Sequence, residues 1–182
     1  MNNAMYYIAL LAPDAINEDV MQWKHFMRDR FGCTVALKSP AHITLISPFW
    51  MKTDLESILG KTINEFTSTR ESVLINLKNF DCFTPRVIFV HVEDSELLRL
   101  LQVDLERHLS KNNIFPIKGE TRFFHAHITI ANRDLHKKDF TEAWEYFKSK
   151  TYHACFVANG ITLLKHSGIK WEPVYTAFFP LT

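Results

Sequence analysis

Two periodicities divide the chain. An apolar run over residues 4–12, closed by Pro13 and Asp14, predicts a buried first strand. Val20, Trp23, Phe26, Met27 and Phe31 then recur at helical spacing, which predicts a helix from about residue 17 to 31, ended by Gly32. Short strands are expected over 34–37 and 41–49. Leu55, Ile58, Leu59, Ile63 and Phe66 mark a second helix over 53–67. Strict alternation over 72–80 and a β-branched, aromatic run over 86–92 read as two more strands. The remainder reads as helix 95–109, strand 124–131, helix 139–150 and strands 154–165 and 174–180. Several strands follow one another directly, so the pattern predicts an α+β fold with largely antiparallel sheets.

One stretch occurs twice. Ala41-His42-Ile43-Thr44-Leu45 returns as Ala126-His127-Ile128-Thr129-Ile130, each copy on a predicted strand with a predicted helix after it. Two copies make a duplicated lobe rather than a solenoid. Side chains at i and i+2 share one face of a strand. His42 and Thr44 therefore point together, away from Ile43 and Leu45, and His127 and Thr129 do the same. If the lobes are related by a pseudo-two-fold axis, two imidazoles and two hydroxyls meet across a groove.

That set suits phosphoester chemistry. Imidazole titrates near neutral pH, so one ring can take a proton from a nucleophile while the other gives one to the leaving oxygen. Threonine hydroxyls can donate to non-bridging phosphate oxygens. The scheme needs neither a metal nor a cofactor. Because the motifs are nearly identical, the roles of acid and base stay open. Arg122, Phe124 and His125 precede the second motif, and His125 shares the parity of His127. Phe83 or Phe124 could stack a base, a contact worth ~1–3 kcal/mol. A second enzyme reading takes His42, His125 and His127 as a three-imidazole zinc site, although the threonines then have no role. A third reading is a non-catalytic module that binds a nucleotide or RNA end. Gly60-Lys61-Thr62 imitates the end of a phosphate loop but lacks the upstream glycine.

Composition narrows the partners. The chain has 182 residues, 47% hydrophobic and 23% charged, with 15 Phe, which is enough apolar material for one sizeable core. Lys plus Arg is 21 and Asp plus Glu is 20, a net charge of +1 that does not suggest a long nucleic-acid footprint. Cys33, Cys82 and Cys155 are odd in number and widely spaced, as expected of free thiols in a reducing compartment. No apolar run approaches ~18 residues and no basic region precedes the first strand, so neither a membrane span nor a signal peptide is expected. A cytoplasmic monomer follows.

The paired motifs resemble those of the two-histidine (2H) phosphoesterase superfamily, in particular its 2'-5' RNA ligase-like and cyclic phosphodiesterase group. The stretch from Phe80 to Val87 and the ending Leu163-Leu164-Lys165-His166-Ser167 with Tyr175 are similar as well. The resemblance spans nearly the whole chain. It implies one domain, residues 1–182, of two pseudo-symmetric lobes, each carrying one His-x-Thr strand. Two largely antiparallel sheets would form a central cleft, with helices outside. It also implies metal-independent action on 2',3'-cyclic phosphates or 2'-5' linkages of RNA ends or nucleotides. His42 and His127 would be the acid/base pair, with Thr44 and Thr129 on the phosphate. The family often places an arginine soon after the second motif; here Asn132 intervenes before Arg133. Lys165 and His166 would lie near the cleft.

Overall fold

The computed structural model describes residues 2–111, 113–117, 119 and 123–181. The strands are β1 (Asn3–Leu11), β2 (His42–Lys52), β3 (Val73–Phe83), β4 (Val87–Val92), β5 (His127–Ala131), β6 (His153–Ala158), β7 (Gly160–His166) and β8 (Trp171–Phe178). The helices are α1 (Asp14–Phe31), α2 (Glu56–Thr67), α3 (Glu96–Ser110) and α4 (Lys137–Lys148). The α+β class stands. The two expected sheets are instead one antiparallel sheet, in the order β6-β3-β4-β5-β2-β1-β7-β8. β2, which carries the first motif, pairs directly with β5, which carries the second, so one sheet holds both.

The expected strand over 154–165 is two strands, at opposite sides of that sheet: β6 pairs with β3, and β7 with β1. Only Asn159 separates Ala158 from Gly160. Consecutive Cα atoms are ~3.8 Å apart, so the sheet must curl until its sides approach each other. At Gly160 a Cβ would lie 2.6 Å from the Ala177 carbonyl oxygen, so only glycine fits there. The expected strand over 34–37 is a 3-10 helix, Val35–Lys38. The Asp134 carboxylate accepts from the backbone N–H groups of Thr34 and Val35, at 2.6 and 2.8 Å, which stabilises the start of that turn.

All four helices contribute to one buried cluster. Ile16, Val20 and Met27 of α1, Leu59 and Ile63 of α2, Leu98 and Leu105 of α3, and Phe140 and Phe147 of α4 pack with Ile8, Ile43, Ile128 and Ile130. Gly32 ends α1 in the left-handed region (φ 72°), and its N–H bonds the Arg28 carbonyl. The Ser95 hydroxyl caps α3 by accepting from Leu98 N–H at 3.3 Å. The other face of the sheet carries a much smaller apolar group, Tyr7, Ala9 and Leu164, flanked by Leu11 and Trp171.

Candidate active site

The central pairing of β2 with β5 sets Ile43 opposite Ile128, and both are fully buried on the helix-covered face. Alternation turns His42, Thr44, His127 and Thr129 to the other face. In the antiparallel register His42 lies across from Thr129 and Thr44 across from His127. Opposed Cβ atoms in such a pair are roughly 4.5–5.5 Å apart. The two motifs thus form a single polar patch at the middle of the sheet.

Both imidazoles are held in the same way. His42 Nδ1 lies 2.7 Å from the Pro40 carbonyl oxygen, and His127 Nδ1 lies 2.7 Å from that of His125. A carbonyl only accepts, so Nδ1 carries the hydrogen in each ring. In the neutral ring Nε2 is then the free lone pair. Burial lowers the pKa of both histidines against the opposing effect of those carbonyl bonds. His42 falls furthest, to about 4, with further lowering from the charges of Lys24 and His127. His127 is lowered by burial first and then by His125. Among the described residues, neither threonine hydroxyl is engaged by a protein group.

Aromatic side chains flank the patch on both sides. On the β1 side Tyr7 packs on His42 (ring centroids 4.8 Å apart) and on Trp171 (4.6 Å), which in turn meets His166 (4.9 Å). The Tyr7 hydroxyl bonds the Ser39 hydroxyl, whose Oγ is 3.5 Å from His42 Nδ1. On the β4 side Phe83 and Phe89 stand 5.3 and 5.0 Å from the His127 ring. Phe83 also meets His125 edge-on at 5.1 Å.

A family model described as the 2'-5' RNA ligase superfamily matches residues 12–170. The chain belongs to the 2'-5' RNA ligase superfamily. No curated protein matches it in sequence. Among solved structures, Escherichia coli LigT complexed with 3'-AMP superposes with a TM-score of 0.72 at 15% identity, covering 99% of this chain and 100% of that one. LigT complexed with ATP gives 0.66 at 16% identity, with 100% of both chains covered. A Thermus thermophilus protein, TT0787, gives 0.62 at 15%, covering 97% of this chain and 100% of that one. These likenesses establish a shared fold.

Within this superfamily member the other expected site residues separate. Phe83 and His125 stand at the patch. Phe124 is half-buried and, with His91, Ser95, Arg99 and His125, lines a cavity of about 140 Å³ beside the second motif. Arg133 is exposed in the turn after β5. Arg122 lies outside the described residues. His166 meets Trp171 at the edge of the patch, but Lys165 points away from it. Lys165 pairs with Tyr6, one residue out of phase with Tyr7, and its Nζ bonds Glu56 at 2.8 Å on the helix-covered face. The three-imidazole metal site is not assembled. The His125 and His127 rings are 6.3 Å apart, and among the described residues no three His, Cys, Asp or Glu side chains are gathered to hold a metal ion.

Sequence reasoning missed Tyr7, Lys24, Ser39, Phe89 and Trp171. Tyr7 and Phe89 were hidden in apolar strand runs. Lys24 carried a readable signal, since it falls on the same α1 stripe as Ile16, Val20 and Met27. Among the described residues no helix is long and apolar enough to cross a membrane.

Proposed function

We propose that this chain is a metal-independent phosphoesterase that opens 2',3'-cyclic phosphates, or acts on 2'-5' phosphodiester linkages, at RNA ends or in nucleotides. The observation that carries the reading is the Ile43–Ile128 pairing, which puts two equivalently pinned imidazoles and two unengaged threonine hydroxyls on one patch. Family membership supports the reaction class. The LigT complexes with 3'-AMP, ATP and NADP+ support a ligand of nucleotide size.

The deeper lowering of the His42 pKa favours that ring as base and His127 as acid. In hydrolysis a water oxygen attacks phosphorus while His42 Nε2 takes its proton. The bond from phosphorus to one ribose oxygen breaks, and His127 Nε2–H protonates that oxygen. The net change is the addition of one water. Thr44 and Thr129 donate to the non-bridging oxygens as charge develops there. In the joining direction a ribose hydroxyl replaces water. Both rings are neutral in the free protein at pH 7, so the anionic phosphate is what draws the proton onto His127. Phe83 and His125 contact the nucleoside, which extends towards the cavity lined by Phe124. The reading is of one domain with two related halves, active as a monomer.

The test is a turnover screen of the four nucleoside 2',3'-cyclic phosphates and of 2'-5'-linked oligonucleotides, with product position determined. The expected result is a monophosphate of single regiochemistry. Folded protein that binds these ligands without turnover would replace this reading with a non-catalytic binding module.

A further inference from the structure

Lys24 is 2% exposed and lies on the buried stripe of α1, where Ile16, Val20 and Met27 are its neighbours. An ammonium has three donors. Among the described residues its Nζ has one partner, the Ser39 carbonyl oxygen at 2.9 Å, and no carboxylate pairs with it. A buried charge left this way is costly, and a leucine or methionine on the stripe would avoid the cost. What Lys24 holds is the segment leading into the first motif. Asp134 binds the N–H groups of Thr34 and Val35 at one end of that segment, and Lys24 binds Ser39 at the other. The next carbonyl, that of Pro40, receives the His42 Nδ1 hydrogen.

From this arrangement we infer that Lys24 is a positioning residue for His42: its ammonium clamps the Ser39–Pro40 turn whose carbonyl orients the ring, and it sets a buried positive charge beside that turn. The inference rests on the proposed role of His42 as base. Tyr7 of β1 packs on the His42 ring, and the charges of Lys24 of α1 and His127 of β5 act on it from the neighbouring elements. Burial holds the Tyr7 phenol above its ordinary range, so it stays neutral throughout. Burial also lowers Lys24, but only to about 8, so its charge persists at pH 7. An uncompensated positive charge disfavours a second one nearby.

The experiment follows the His42 ring nitrogens by NMR across pH in the full chain with 15N-labelled histidine. In the unmodified protein they should show their own midpoint well below 6.5 and a second, smaller inflection near pH 8 as Lys24 loses its proton. Lys24→Gln, which keeps a donor for Ser39 and removes the charge, should abolish that inflection and raise the midpoint by roughly one pH unit. Lys24→Met should do the same and also speed exchange of the Nδ1 proton about tenfold, because the turn loosens. On the best substrate, the acid limb of kcat/KM should move up with the midpoint. In the same assay kcat should fall about tenfold while KM changes less than about threefold.

Absence of the inflection, or an unmoved midpoint in Lys24→Gln, overturns the inference. If neither variant folds, the unmodified protein's inflection decides. Should the chain turn over no phosphoester, the titration still reads the Lys24–His42 coupling, so failure of the catalytic reading is told apart from failure of this one.

Discussion

Ile43 of β2 faces Ile128 of β5, and that one pairing seats His42 against Thr129 and Thr44 against His127. The chemistry therefore depends on a contact that is itself apolar and fully buried. Polar side chains on the open face can be changed without disturbing it, which makes the site accessible to clean mutagenesis.

His42→Gln and His127→Gln should each lower kcat/KM by at least ~10²-fold, the usual worth of a positioned proton-transfer group. Neither ring supports the helix-packed core, so circular dichroism and the urea midpoint should stay close to wild type. Wild-type-like turnover in either variant removes that histidine from the mechanism.

Thr44→Val and Thr129→Val keep the β-branched shape that suits a strand and delete only the hydroxyl. Each should cost about 1–3 kcal/mol of transition-state stabilisation. The check is kcat/KM on a cyclic phosphate alongside thermal unfolding. Unchanged kinetics in both variants would make the threonines structural.

The pH profile should be displaced to the acid side. Productive free protein has His42 neutral and His127 protonated, which requires a pH above about 4, the His42 value, and below His127's own, itself under 6.5. A bell in kcat/KM peaking between those limits is expected, with the basic limb of kcat at higher pH because bound phosphate favours imidazolium. Stability follows the same groups. The unfolded chain takes up protons on these histidines near 6.5, whereas folded His42 does so only near 4. Folding stability is therefore fully present above 6.5 and falls as pH drops towards 4. Urea midpoints at pH 7, 5.5 and 4.5 measure the decline, which should be shallower in His42→Gln.

Chelation separates proton transfer from metal hydrolysis. Activity should survive exhaustive phenanthroline treatment and dialysis, and His125→Ala should keep most of kcat with a raised KM. A coordinated ring nitrogen cannot cycle a proton, so activity lost on chelation and restored by zinc, with an inactive His125→Ala, would instead place a cation at the site.

Much of the site was legible in the chain alone, because strand parity is local. His-x-Thr over an apolar partner puts the two polar residues on one face wherever the strand ends up, and both motifs lie on strands with that parity. The helical stripes were legible for the same reason, and Lys24 sits on one of them in plain view. Pairing is different. Whether β2 and β5 lie in separate sheets or side by side depends on how residues 85 positions apart satisfy their backbone hydrogen bonds, and no local pattern encodes that choice. The same holds for Lys165, whose parity places it on the helix-covered face with Glu56, and for Tyr7 and Trp171, which meet only because β7 and β8 lie beside β1. The sequence by itself determined which side chains could share a strand face. Only the tertiary structure decided which strands would meet, because that choice is made by burying a common core.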